Sequence, residues 1–265
     1  MKKHVYPVRQ KNSRSNYRDL WWLHGEPRPE LRRALNGKTR YILTPGVSKH
    51  RIFDWFEASS IPDHAIFAFV RDDDYFMGVI HSCVHETWAR AQGTQVREAE
   101  SGFRYTPNST FETFPFPWPP CFEPGEGDDR RVKAIADAAR ELIRLRDAWL
   151  APPDIASEEL KRRTLTSLYN DPPAWLENAH QNLDRAVLAA YGLKYPSGRV
   201  EILSHLLALN RERASGAFTL KMAGKTARVS EPHPETDKLV ASARKPPRSE
   251  GFSIMGVDRK IGKRR

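Results

Sequence analysis

Residues 76–119 read FMGVIHSCVHETWARAQGTQVREAESGFRYTPNSTFETFPFPWP, and four kinds of segment follow one another in that run. Residues 76–80 are apolar and partly β-branched, which predicts a short buried strand, with Gly78 permitting a close backbone approach. Between His81 and Arg90, Val84 and Trp88 lie four apart on one face, the spacing of a turn or two of helix. A polar loop over residues 92–102 then carries Gln92, Gln95, Arg97, Glu98 and Glu100, with Arg104 just beyond. In residues 105–117, Phe111, Phe114 and Phe116 sit among prolines that forbid a helix, so an extended strap across a domain is expected. A charged loop held between a core strand and such a strap is how a scaffold displays recognition side chains.

Upstream, Pro29 suits the first turn of a helix over residues 30–35, and Asn36-Gly37 stops it. RYILT at residues 40–44 and AIFAFV at residues 65–70 predict two more strands. Between them Ser48, Lys49, His50 and Arg51 make a basic cluster suited to phosphate contacts, which position a protein without specifying sequence. Downstream, residues 119–127 (PPCFEPGEG) form a linker by composition, and then the apolar period changes. Asp128 or Asp129 can cap a helix with Val132, Ile135, Ala136, Ala139, Leu142, Ile143 and Trp149 on one face. A second helix starts at Ser157. A third is expected with Asp171 as cap and Pro172 in its first turn, burying Trp175, Ala179, Leu183, Ala186 or Val187, and Ala190, with Gly192 past its end. A fourth, near residues 200–213, buries Leu203, Leu206 and Leu207.

The expected fold class is therefore α+β: a mixed small-sheet domain over residues 1–120, a linker over 121–127, an α-helical bundle over 128–214, and a basic, largely disordered tail over 215–265. The first 22 residues read either as a solvated basic arm or as the continuation of an upstream segment.

The chain has 265 residues and a net charge of +10, with a pI near 9.7, which favours a polyanionic partner, nucleic acid above all. With two cysteines, no apolar signal region and no run near the ~18 apolar residues of a membrane helix, a reducing cytoplasm is the expected compartment.

Catalytic signals are weak. Asn170-Asp171-Pro172-Pro173 approaches the turn with which DNA amino-methyltransferases hold a base amine, but Ala174 follows and Trp175 comes one residue late. Helix capping is the simpler reading. Gly125-Glu126-Gly127 follows a proline linker and no predicted strand, so no S-adenosylmethionine site is legible. His81, Cys83, His85 and Glu86 lack a second cluster that would complete a metal site. Asp72-Asp73-Asp74 reads as a solvated turn. Recognition chemistry remains: Arg and Lys read guanine, Asn and Gln read adenine, and Glu accepts from cytosine. The candidate DNA-binding residues are Arg40, Lys49, His50, Arg51, Arg90, Gln95, Arg97, Glu98, Glu100 and Arg104. Composition alone leaves a solvated loop of mixed charge equally open.

RYILTPGVSKHRIF, DDDYFMGVIHSCVHETWA, RYTPNSTFETFPFP and LTSLYNDPPAWLENAHQNLDRAVLAAYG, in that order, resemble the C-terminal part of large bacterial adenine-specific DNA methyltransferases, including the single-chain Type IIG restriction–modification proteins. The resemblance covers residues 5–207, and the Phe-Glu-Thr-Phe-Pro-Phe-Pro strap is its most specific element. It implies a target recognition domain followed by helices, binding double-stranded DNA, with base-reading side chains within residues 92–104. The donor and catalytic motifs of that family are not legible here. The expectation is a non-catalytic portion that depends on a separate methyltransferase subunit, with S-adenosylmethionine the cofactor of the complete enzyme and none in this chain. The alternative is a truncated remnant with only non-specific DNA binding.

Overall fold

The computed structural model describes residues 2–23, 28–95, 102–153, 157–215, 219–222 and 225–228. The described N-terminal residues form two five-residue helices, α1 (Tyr6–Gln10) and α2 (Ser15–Asp19), followed by α3 (Pro29–Ala34) with Pro29 at its start as expected. Tyr6 meets Trp21 edge to face at 5.2 Å, so the basic arm is partly structured.

Strand β1 (Arg40–Pro45) leads to β2 (Val47–Ser48), β3 (Asp54–Glu57) and β4 (Ile66–Phe69). β1 is the centre of an antiparallel sheet of order β3-β1-β4, with Ile42 opposite both Trp55 and Phe69. The strands expected at residues 40–44 and 65–70 are thus present.

The strand expected at residues 76–80 is instead helical: α4 (Asp74–His81) runs into α5 (Cys83–Gln92). Two caps explain the reversal. The Asp73 carboxylate accepts from the Phe76 N–H at 2.8 Å, and Ser82 closes α4 and caps α5. Every residue of α4 is buried, so its apolar run is that of a helix covered on all sides. Gly78 does permit the close approach. A Cβ there would lie 2.6 Å from Ile135 Cγ2 and 3.1 Å from the Ile135 carbonyl oxygen.

β5 (Thr94–Gln95) and β6 (Phe103–Arg104) join β2 in a second antiparallel sheet of order β2-β6-β5. The strap begins with a π-helical turn over Pro107–Phe111, a departure from the extended expectation that holds Phe111 against Phe69 at 4.8 Å. Beyond it, prolines keep the chain out of helix, and Phe116 stacks on Phe76 at 5.2 Å.

Helix α6 (Arg130–Leu150) is capped by Asp129, whose carboxylate accepts from the Arg131 N–H at 2.7 Å. It buries Val132, Ile135, Ala136, Ala139 and Leu142 as expected, while Ile143 and Trp149 are half-buried. Next come α7 (Ser157–Leu160), α8 (Leu165–Asn170), α9 (Ala174–Ala190) and α10 (Arg199–Ala214). Asp171 does not cap α9. It terminates α8, and the extended Pro173 is the residue before α9, because two successive prolines hold the connection out of helix. The buried stripe of α9 is Leu176, Ala179, Leu183, Val187 and Leu188, with Trp175 half-buried. On α10 Leu206 is buried as expected and Leu203 is half-buried, Ile202 is buried as well, and Leu207 is 41% exposed.

α4 and α9 both pack on α6, so the segments before and after the proline linker share one apolar core. The α+β class holds. Residues up to Arg211 form one compact unit and residues from Glu212 a second. The second contains an antiparallel hairpin of β7 (Thr219–Met222) and β8 (Lys225–Arg228), and the rest of the expected tail lies outside the described residues. No helix among the described residues is long and apolar enough to cross a membrane.

Candidate nucleic-acid interface

The small sheet β2-β6-β5 and the turn after β2 bring several candidate residues to one area. Val47 lies opposite Arg104, and Thr94 lies opposite Arg104 from the other side. Phe103, the alternate residue of β6, is buried, whereas Arg104, Val47 and Thr94 are exposed. Gly102 sets β6 in place: its φ is +92°, and a Cβ would lie 2.8 Å from the Ser48 carbonyl carbon.

The turn after β2 separates the basic cluster into two roles. Arg51 donates to Thr44 Oγ1 at 3.0 Å, to the Pro45 carbonyl, and to the Phe103 carbonyl at 3.0 Å, tying the two sheets together. Its guanidinium lies 4.9 Å from the Tyr105 ring, and burial lowers its pKa to about 10. Lys49 and His50 are nearer solvent. Lys49 Nζ donates to Asn170 Oδ1 at 2.8 Å and His50 Nε2 to the same oxygen at 2.9 Å. Asn170 is 120 positions away in sequence from His50, and no sequence signal marks that pairing.

Arg40 is committed to the fold as well. It packs 3.8 Å above Trp55, pairs with Asp74 at 2.9 Å and donates to the Asp72 carbonyl at 3.0 Å. Arg90 pairs with Glu86 at 2.7 Å along α5 and stays exposed. The backbone of Gln95 belongs to β5, opposite Phe103. Arg97, Glu98 and Glu100 lie outside the described residues.

Beside this area a cavity of about 300 Å³ is lined by His50, Glu86, Arg90, Tyr169, His180 and Asp184, among others. In its floor the Tyr169 hydroxyl lies 3.3 Å from His81 Nε2 and 2.9 Å from His180 Nε2. Burial, reinforced by the charge of Arg146, holds both imidazoles neutral: His180 falls to about 4 and His81 well below its ordinary value. Arg146 is itself fully buried, donating to the Phe53 carbonyl at 3.1 Å and pairing with Asp54 at 2.6 Å. Burial and the neighbouring Asp184 push the Cys83 thiol up, so it is not a thiolate nucleophile at neutral pH. Among the described residues no group of three His, Cys, Asp or Glu could hold a metal ion.

Comparison with known proteins places this geometry. Residues 26–118 match the model of the MmeI target recognition domain, and residues 127–218 match the model of the MmeI C-terminal domain. The chain contains the MmeI target recognition and C-terminal domains. Its target recognition domain therefore contains both small sheets, α4, α5 and the aromatic strap, and its MmeI C-terminal domain contains α6 to α10. DNA methyltransferase A of Bacillus subtilis (strain 168) is 29% identical over 177 residues, 64% of this chain. The chain spans only 18% of that relative's length. The Type IIL restriction-modification enzyme MmeI, solved in complex with DNA, shares the fold with a TM-score of 0.58 and 24% identity, over 80% of this chain and 26% of that one. The resemblance to large DNA methyltransferases of restriction-modification systems thus holds.

Proposed function

We propose that this chain is the DNA target recognition portion of a restriction-modification methyltransferase. The observation that carries the reading is the match to the MmeI target recognition domain, on a chain whose net charge is +10. In this reading Lys49 and His50 contact phosphates of double-stranded DNA and set the register. Arg104, Gln95 and the intervening Arg97, Glu98 and Glu100 supply base-edge contacts. Arg40 and Arg51, held in ion pairs and backbone bonds, brace the surface instead of reaching for DNA. Arg90 adds positive charge at the rim.

The reading extends to an adenine target delivered to a separate methyltransferase catalytic subunit in the cytoplasm, where the base is flipped for reaction. S-adenosylmethionine supplies the methyl group when bound.

The test is selection of the purified chain on a randomised duplex pool at two salt concentrations, with the bound DNA sequenced. An enriched motif supports a recognition module. Salt-sensitive binding without any motif overturns base reading by this chain and leaves phosphate attraction alone, and no binding at all overturns both.

A further inference from the structure

We infer that Val47, Arg104 and Thr94 form a reading row for a guanine flanked by thymine in the DNA major groove, an assignment that rests on the DNA-recognition reading above. The register is the starting point. Val47 and Thr94 are both direct cross-strand partners of Arg104, on opposite sides of it. Directly opposed residues in a sheet project to the same face, and here all three are exposed while Phe103 turns inward. The outer face of this sheet is therefore a line of valine, arginine and threonine.

Strand spacing gives the line a length. Three strands separated by ~4.8 Å place its ends ~10 Å apart, within side-chain reach of the ~7 Å (two rises of ~3.4 Å) that separates the outer two of three successive base pairs. A narrow β-ribbon fits the major groove. The chemistry then divides by position. The guanidinium at the centre offers the fork that matches guanine O6 and N7, and the branched side chains beside it offer methyls to the C5-methyl of thymine.

A phosphate partner for Arg104 fits less well. Val47 is 45% exposed and gains nothing beside a phosphate, whereas it can bury surface against a base methyl. An adjoining groove of about 480 Å³ is lined by Pro45, Val47, Phe67, Tyr105 and Pro107, with Arg104 at its edge. That lining is suited to an apolar base substituent. Lys49, two residues beyond Val47, is left for the phosphates.

The row is also rigid. Gly102 lets β6 approach the Ser48 backbone, and Arg51 holds the Phe103 carbonyl from behind. A side chain on such a sheet reads one geometry, as base discrimination requires.

The experiment begins with the sequence motif selected by the whole chain from randomised duplex DNA, then repeats the selection with Arg104→Gln. The motif should contain a guanine whose preference falls roughly ten- to hundredfold in the variant, with flanking positions kept. In the preferred duplex, deoxyuridine then replaces each flanking thymine, which removes a methyl and leaves the protein untouched. Wild-type affinity should fall about fourfold per methyl, and the double variant V47A/T94S should bind both duplexes alike. An unchanged motif with Arg104→Gln, or wild-type indifference to the missing methyl, overturns this assignment while the recognition reading stands. A wild-type chain that enriches no motif overturns the recognition reading and this assignment with it.

Discussion

Arg51 and Lys49 stand two positions apart in one basic run, yet their surroundings are opposite. Arg51 holds Thr44 Oγ1 and two backbone carbonyls, so Arg51→Ala should cost about 2–3 kcal/mol, read as a lower urea midpoint. Lys49→Ala removes one exposed contact to Asn170 and should change stability by less than ~0.5 kcal/mol. On DNA it should weaken all sequences alike and reduce the salt slope by about one. A Lys49 variant that altered sequence preference instead would reverse the two roles. The buried histidines supply a pH prediction. His85 Nδ1 lies 2.8 Å from the Ile80 carbonyl, which can only accept, so that nitrogen carries the proton. Nε2, at 3.1 Å, then accepts from the Tyr105 hydroxyl, and the ring is neutral. Burial lowers His85 to about 3 and His180 to about 4. Below an unfolded-state pKa of ~6.5 the unfolded chain binds more protons than the folded one, so stability is full above ~6.5 and falls as pH drops toward those values. Each histidine contributes a slope of up to ~1.4 kcal/mol per pH unit. Urea midpoints that stay level from pH 7 to pH 5 would contradict neutral buried imidazoles.

Among elements, the contact of α4 with α6 sets two propensities against each other. Replacing glycine in a helix by alanine ordinarily stabilises by ~1 kcal/mol. At Gly78 the new methyl would meet Ile135 Cγ2 at 2.6 Å and a backbone oxygen at 3.1 Å, and only the side chain can move aside. Overpacking of this kind costs about 1–3 kcal/mol, so Gly78→Ala should be net destabilising and lower the thermal midpoint. A raised midpoint would mean that the helices can separate without loss. At β6 the same substitution acts on display. Gly102→Ala combines a positive φ with a clash against Ser48, and should reduce DNA affinity more than it reduces overall stability. Parallel denaturation and binding curves on one preparation separate those two effects.

The whole molecule joins its recognition and helical segments through a single core. Phe76, Met77 and Val79 of α4 and Val132, Ile135 and Leu142 of α6 belong to the same buried cluster. Unfolding of residues up to Arg211 should therefore be one cooperative transition, with tryptophan fluorescence and far-ultraviolet circular dichroism giving coincident midpoints. Two separated transitions would show that the recognition segment is independently stable. A shared core also means that the segment carrying Arg104 is anchored by helices distant in sequence.

Much of this was legible in local sequence. Short apolar runs rich in aromatic and β-branched residues at RYILT and AIFAFV specify strands, Asp129 before a 3.6-residue period specifies α6, and the aromatic-proline strap marks the family. The basic charge pointed to a polyanion. Tertiary structure decided what local pattern left ambiguous. The run FMGVI is compatible with a buried strand or a helix covered on every side, and the caps at Asp73 and Ser82 together with the close contact at Gly78 chose the helix. It also sorted the arginines, because whether a guanidinium faces solvent or bridges two sheets depends on carbonyls that folding brings near it. Finally, two-residue strands carry too little sequence to show a period, so the alignment of Val47, Arg104 and Thr94 exists only once β2, β6 and β5 have paired.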